Sequence, residues 1–250
     1  MSGHSKWATI KHKKGLADAK RGQMFTKFIK EISIAARMGG GDPEMNPRLR
    51  TAILKAKAAN MPKDTIDRAI KRGSGGGDDS NFEEVRYEGY GPGSVAIIIE
   101  GLTDNRNRTA SEIRSAFTKN GGAMGETNSV SFMFDRVGAI RYPLATATAD
   151  AMLEGAIEAG ADNVESDEEA HEITCAPDSL AAVRDDLETR FGTPESARLE
   201  WKPQTLVAVN DEETARTLMK LLEILEDNDD VQRVQANFEI PDEIMERLGG

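Results

Sequence analysis

Asp18–Arg72 reads DAKRGQMFTKFIKEISIAARMGGGDPEMNPRLRTAILKAKAANMPKDTIDRAIKR, and this stretch decides the first part of the fold. Apolar residues recur in it at spacings of three and four, the period of a helix with one buried face. The pattern is interrupted at Gly39–Gly41 and at Met61-Pro62, residue types that end helices. Helices with one apolar face bury that face against each other, so the stretch predicts a three-helix domain.

The three predicted helices have recognisable starts and stops. The first covers Asp18–Met38, and the third covers Lys63–Arg72. Asn46 is the expected N-cap of the second, because Pro47 follows it and proline is favoured at the first helical position. The predicted buried faces consist of Phe25, Phe28, Ile29, Ile32, Ala36, Leu49, Ala52, Ile53, Ala56, Ile66, Ala69 and Ile70.

The charge of this part of the chain is opposite to that of the rest. Residues 1–72 hold 17 Lys or Arg against 6 Asp or Glu, whereas the whole chain has a net charge of −11. The remaining residues therefore carry a net charge of −22. A basic block on an acidic protein indicates a surface for a polyanion, most commonly nucleic acid. The alternative is a helical bundle kept soluble by its lysines, with Asp64/Arg68 and Asp67/Lys71 paired along the third helix.

The candidate phosphate contacts lie on an N-terminal arm and along the flanks of the helices. They are Lys6, Lys11, Lys13, Lys14, Lys20, Arg21, Arg48, Arg50, Lys55, Lys57, Arg68 and Arg72. The third helix offers Arg68, Lys71 and Arg72 but no Asn or Gln that could read adenine. Contact with phosphates is therefore better supported than base readout.

Three further residues form a second rank of candidates. Trp7 has two open interpretations, docking on the body of the protein or stacking on a base. Arg106 and Arg108 stand near a helix start, where the helix dipole disfavours cations, and such a conflict is sometimes functional. The alternative for this pair is solvated loop arginines.

The rest of the chain predicts alternating strands and helices. Strands are expected at Phe82–Tyr90, Ser94–Glu100 and Asn128–Asp135, with a helix that begins in a Thr109/Glu112 capping box. Residues 137–204 then read β-α-β-β-α-β, and the tail adds strand, helix and strand. The predicted fold class is α+β: an N-terminal three-helix domain followed by two ferredoxin-like α/β units, one inserted in the other.

The first expected domain boundary is the linker Gly73–Ser80, where the charge changes sign. The other boundaries follow from the order of the predicted strands and helices. The domains are a basic helical domain with its arm (1–73), an α/β domain (81–136 plus 205–240) and an inserted α/β domain (137–204).

The sequence motifs favour a protein that is not an enzyme and has no cofactor or metal. His4, His12 and His171 lack metal-ligand spacing with Cys175, and Asp227–Asp230 lacks the glycine and the later glutamate of an EF-hand loop. Gly89–Gly93 precedes a strand, so a nucleotide-binding loop is not expected there. The single cysteine and the absence of a membrane-length apolar run lead us to expect a cytoplasmic location without membrane contact.

Several long blocks of the sequence resemble the YebC/PmpR family. They are GHSKW and IKHKK (residues 3–7 and 10–14), DAKRG (18–22), YEGYGPG (87–93), LTDNRNRT (102–109), FTKNGG (117–122) and residues 129–135. The resemblance covers essentially the whole chain. Ser94 and Phe132 are minor departures from the family pattern.

The resemblance implies a cytoplasmic protein of one helical and two α/β domains. Family members are described as DNA-binding transcriptional regulators, and relatives also act in translation, on ribosomes stalled at proline-rich stretches. The first expectation is therefore a DNA-binding transcriptional regulator that acts through the basic helical domain. The alternative is a ribosome-associated translation factor that binds ribosomal RNA, since phosphates of DNA and RNA look alike to Lys and Arg. A protein partner on the acidic domains is compatible with either.

Overall fold

The structure, a computed structural model, describes residues 18–75 and 82–249, with side chains for 21–75 and 82–248. Lys6, Trp7, Lys11, Lys13 and Lys14 lie outside the described residues, and so does most of the predicted linker. The chain forms two compact units. One, the outer unit, contains the described residues up to Phe134 and those from Pro203 onward, and the other, the inserted unit, is Asp135–Lys202. The separation of residues 1–73 as a domain of its own stays a prediction.

The described residues begin with three helices, as predicted: α1 (Asp18–Gly39), α2 (Pro47–Ala58) and α3 (Lys63–Gly73). The Asn46 side chain caps α2 by accepting from the Leu49 amide at 3.1 Å, and it donates to the carbonyls of Ala35 and Gly40, both at 2.8 Å. One side chain thus fixes the turn between the first two helices. Gly73 lets α3 approach α1 closely, because a Cβ there would overlap the Ser33 carbonyl oxygen.

The predicted apolar faces of these helices form one core. Eight of the predicted residues are buried in it, namely Ile32, Ala36, Leu49, Ala52, Ile53, Ala56, Ile66 and Ala69. Phe25, Phe28, Ile29 and Ile70 pack against the core while partly buried.

The α/β part of the outer unit is built on an antiparallel sheet. Its elements are β1 (Glu83–Tyr90), β2 (Ala96–Thr103), α4 (Arg106–Lys119), β3 (Ala123–Met124), β8 (Val207–Ala208), α7 (Glu212–Glu226), β9 (Val231–Ala236), β10 (Phe238–Glu239) and α8 (Asp242–Gly249). The sheet order is β3-β1-β2-β9, and β8 and β10 form a separate parallel pair. Residues of α4 and α7 share a core with Ile97 and Ile99 of β2.

The inserted unit has the β-α-β-β-α-β order that was predicted. Its elements are β4 (Phe134–Pro143), α5 (Ala149–Glu158), β5 (Asn163–Ser166), β6 (Ala170–Cys175), α6 (Leu180–Phe191) and β7 (Ser196–Pro203). The sheet order is β5-β6-β4-β7. Cys175 is buried in the core of this unit, and burial raises the pKa of its thiol. The α+β class is therefore confirmed, with N-terminal helices followed by antiparallel sheets.

Two predicted elements were wrong. Of the predicted strand Asn128–Asp135, only Phe134 and Asp135 belong to a strand, β4. Residues 128–133 form a loop, because the amides of Asn128, Val130 and Ser131 donate to the buried carboxylate of Glu88 instead of a neighbouring strand. The place next to β2 in the sheet is taken by β1.

The predicted capping box was also wrong. Asn105 caps α4 by accepting from the Arg108 amide, and the Thr109 hydroxyl donates to Asp230.

None of the helices in the described ranges is both long and apolar enough to span a bilayer. Within those same ranges, no group of three or more His, Cys, Asp or Glu could hold a metal ion.

Candidate nucleic-acid interface

The exposed surface of α2 and α3 carries a group of cations. Its members are Lys57, Lys63, Arg68, Lys71 and Arg72, which we call the α2–α3 cations. Among the residues that the structure describes, none places a carboxylate within ion-pair distance of these five side chains. The Arg68 guanidinium donates to the Asp64 carbonyl at 3.1 Å and to the Thr65 hydroxyl at 3.3 Å. Within the described residues, these five cations are therefore not held in direct ion pairs, although Asp64 and Asp67 are exposed on the same helix α3.

The predicted Asp64/Arg68 and Asp67/Lys71 ion pairs are not formed in the described structure. Exposed ion pairs are worth little, because two long side chains must be ordered for a small Coulomb gain in water. The predicted pairing of part of the α3 charge within that helix was therefore wrong, and the cations of α3 face solvent.

Arg48 occupies a different environment from the α2–α3 cations. Its guanidinium contacts the carboxylates of Glu31 at 2.7 Å and Glu84 at 2.9 Å. Burial opposes the charged form, but hydrogen bonds to Glu31 and Glu84 and their charges outweigh it and raise the pKa of Arg48. This candidate therefore joins α1 and α2 to β1, a structural role.

Arg50 contacts the backbone of the turn that precedes α2. Its guanidinium donates to the carbonyls of Pro43 and Glu44, at 3.2 and 3.3 Å. On α2, the two candidate arginines, Arg48 and Arg50, thus support the fold. The two candidate lysines, Lys55 and Lys57, are exposed to solvent.

The second-rank candidate Arg108 belongs to a network around Asp230, a carboxylate only 2% exposed. Asp230 accepts from Lys30 at 2.5 Å, from Arg108 at 2.8 Å and from the Thr109 hydroxyl at 2.7 Å. Burial would raise the pKa of Asp230, but hydrogen bonds from Arg108, Lys30 and Thr109 lower it to about 2. Asp230 stays ionised at neutral pH and links α1 to α4.

Arg106 lies at the exposed start of α4. Its guanidinium is 3.4 Å from the Glu83 carboxylate, with both side chains largely in solvent. The structure therefore separates the second-rank pair: Arg108 takes part in a buried network, and Arg106 remains at the surface.

A polar cavity of about 370 Å³ lies beside the Asp230 network, between α1 and the turn after α7. Lys27 and Lys30 of α1 extend to this acidic turn, where Lys27 donates to the Glu226 carbonyl and Lys30 to the Asp229 carbonyl at 2.9 Å. Part of the positive charge of the basic block therefore holds α1 to the acidic part of the protein.

The remaining candidates have simple positions. Arg21 is exposed on α1, and Lys20 lies in the first turn of that helix, where its side chain is not described. Lys63 and Lys71, which belong to the α2–α3 cations, were not among the candidates. The exposure of Lys71 could have been inferred from the buried positions Ile66 and Ala69, which place it off the apolar face of α3. Spacing gives no such signal for Lys63, which stands three residues before Ile66 at the first position of the helix.

Two family models match the chain. The TACO1/YebC protein N-terminal domain matches residues 5–76, and the TACO1/YebC second and third domain matches residues 82–238. This chain belongs to the TACO1/YebC family. The resemblance seen in the sequence motifs is thereby confirmed.

A solved structure is similar to this TACO1/YebC chain over most of its length. It is the crystal structure of a conserved hypothetical protein from Aquifex aeolicus, with 52% sequence identity and a TM-score of 0.82. The match covers 91% of this chain and 94% of the other.

Proposed function

We propose that this TACO1/YebC protein is a DNA-binding transcriptional regulator that binds through its basic helical region. The observation that carries the proposal is the group of α2–α3 cations, exposed and without a described carboxylate partner, on a chain with a net charge of −11. Phosphates attract such a surface, and each phosphate contact releases counterions from the nucleic acid. The N-terminal lysines Lys6, Lys11, Lys13 and Lys14 add further positive charge to the same region of the chain.

The contacts expected here position the protein on the phosphate backbone. Lys57, Lys63 and Lys71 are point charges that contact phosphate without reading sequence, and the two arginines stand on a helix without Asn or Gln. Sequence preference would then come from DNA shape or from other parts of the protein.

A second candidate function is translation, with ribosomal RNA in place of DNA. The same lack of base-reading side chains on α3 favours it, since folded RNA is recognised largely through its shape and its phosphates. In neither case does the chemistry require an enzymatic step or a cofactor. The location we propose is the cytoplasm.

The test measures binding as a function of salt for two matched double variants. Arg68→Ala/Lys71→Ala removes two α2–α3 cations, whereas Arg216→Ala/Lys220→Ala removes two exposed cations from α7. We expect the first variant to weaken binding to duplex DNA and to reduce the slope of log K against log salt by roughly 2, at about 0.9 per phosphate contact. The second variant should leave the slope unchanged.

The outcome distinguishes the candidates. Equal slopes for both variants would show that the α2–α3 cations do not contact the nucleic acid. A steep slope on a ribosomal RNA fragment together with no binding to DNA would favour the translation role.

A further inference from the structure

The loop between β3 and β4, residues 125–133, is fixed by a buried carboxylate. Glu88 on β1 is 1% exposed and accepts from the amides of Asn128 at 3.0 Å and of Val130 and Ser131, both at 2.9 Å. Burying a carboxylate is costly unless its oxygens are fully hydrogen-bonded, and here the loop backbone supplies the donors. The loop and Glu88 therefore stabilise each other.

Further contacts hold the same loop. The Arg86 guanidinium lies 3.1 Å from the Glu88 carboxylate and donates to the Asn128 side chain at 2.8 Å. Val130 is completely buried, and the Gly125 amide donates to the Glu88 carbonyl at 2.8 Å. A loop with this many contacts to β1 has a fixed backbone.

This loop presents an aromatic ring to solvent. Phe132 is 68% exposed, the highest exposure of any aromatic residue in the part of the chain with described side chains. Tyr90 is 36% exposed, and its hydroxyl donates to the Ser129 carbonyl of the loop at 3.4 Å. Apolar surface exposed to water costs free energy, and this cost is removed when a binding partner covers the ring. The contacts around Glu88 stabilise the loop that carries this exposed ring.

We propose that Phe132 on the 125–133 loop is a stacking site for an unpaired base of single-stranded nucleic acid. This inference rests on the proposed nucleic-acid binding and names the form of the ligand. A rigid aromatic ring loses little entropy when a base stacks on it, and any base offers a flat face. The other exposed residues of the loop, Glu126, Thr127 and Asn128, are polar, so the exposed apolar side chains here are confined to Phe132 and the neighbouring Tyr90.

The position of the ring along β1 sets the length of the ligand. Arg48 contacts Glu84 near the start of β1, and Tyr90, beside the loop, ends it. Six residue steps along a strand span ~20 Å. A nucleic-acid strand that contacts both the helical region and Phe132 must therefore be several nucleotides long.

The test uses the full chain and a 2-aminopurine base in the centre of a single-stranded oligothymidine of about 12 nucleotides, within the range of single-strand site sizes. The fluorescence of 2-aminopurine falls when the base stacks, so we expect quenching on binding. Phe132→Ala should abolish the quenching and weaken single-strand binding by roughly 5- to 100-fold. Phe132→Trp should restore both, and binding to a duplex of the same length should not change.

The matched control is Ile157→Ala, an exposed apolar side chain on α5 (64% exposed) that should leave both signals unchanged. Thermal unfolding of each variant shows that the exposed substitutions keep the fold. Quenching and affinity that persist in Phe132→Ala would overturn the stacking site while leaving the proposed function intact. An equal loss of single-strand and duplex binding would also overturn it. A native chain that binds no oligonucleotide at low salt would overturn the proposed function as well.

Discussion

Asp230 shows how single residues connect distant parts of this chain. Its carboxylate joins Lys30 on α1 to Arg108 and Thr109 on α4, residues at least 121 positions away in sequence. Removing one member of a buried charged network leaves the others buried without a partner, which costs more than the network itself contributes. Stability at this site therefore depends on the complete set of contacts.

Asp230→Asn should destabilise the protein by about 3–5 kcal/mol at neutral pH, because Lys30 and Arg108 lose their buried counter-charge. The native pKa of Asp230 is lowered to about 2, below its ordinary value, so its contribution is fully present above the unfolded pKa. The difference in the free energy of unfolding between the native chain and the variant should shrink as the pH falls through about 4 towards 2. Urea unfolding at several pH values measures this difference.

The control for this experiment is Asp104→Asn. Asp104 also contacts Arg108, at 2.9 Å, but its side chain is largely exposed, so its loss should cost about 1 kcal/mol or less. An equal loss of stability in both variants would show that burial of Asp230 does not determine how much it stabilises the fold. A loss in Asp230→Asn that does not depend on pH would show the same.

The sequence predicts some residues of the candidate site but not others. The exposure of Lys57, Arg68 and Arg72 follows from helix periodicity alone. The structural roles of Arg48 and Arg108 could not be predicted, because their partners Glu84 and Asp230 lie in other elements and come close only through tertiary packing.

At the scale of elements, helical periodicity correctly predicted the long helices. The alternation of apolar and polar residues wrongly predicted a strand where the chain forms a loop. Helices α1 and α3 begin and end within about one residue of their predicted bounds, and α2 begins at the predicted Pro47. The segment Asn128–Asp135 alternates apolar and polar residues like a strand, yet Val130 is buried in a loop and Phe132 points to solvent. The distinguishing feature, the Glu88 carboxylate, lies about 40 residues earlier. Helix α8 was not predicted.

The segment Gly73–Ser80, which joins α3 to β1, should be the main site of limited proteolysis, because its composition is that of a flexible linker. After cleavage we expect the two fragments to migrate together in gel filtration at low salt. Lys30–Asp230 and Arg48–Glu84 connect them, and Ile34 packs with Phe82 and Leu102. Mass spectrometry locates the cut. Preferred cleavage inside β1 or β2 would contradict the domain boundary.

At the scale of the whole molecule, charge is divided between the parts of the chain. The inserted unit, residues 135–202, holds 16 acidic and 6 basic residues, so it contributes −10 to the net charge. A unit of this charge repels phosphate, which leaves the basic helical region as the favoured contact for nucleic acid.

Deleting residues 135–202 and joining the ends with a short Gly/Ser loop should leave a folded outer unit. The Gln204 amide donates to the Met133 carbonyl at 3.0 Å, so the two ends to be joined are already adjacent. The core shared by β2, α4, α7 and β9 contains no residue of the inserted unit. We expect a cooperative thermal transition by circular dichroism and stronger DNA binding than in the full chain. A product without a transition would contradict the nested arrangement.

The pairing of β2 with β9 has a consequence for synthesis of the chain. Ile97–Gly101 of β2 pairs with Val231–Ala236, about 130 residues later. At roughly 5–20 residues per second, translation delivers that partner about 6–26 s after β2 emerges. During this interval the β1–β2 hairpin has an open apolar edge, and the inserted unit can fold before its host. A nascent chain that pauses before residue 231 would therefore expose this edge, and β9, the last strand of this sheet to be translated, would complete it.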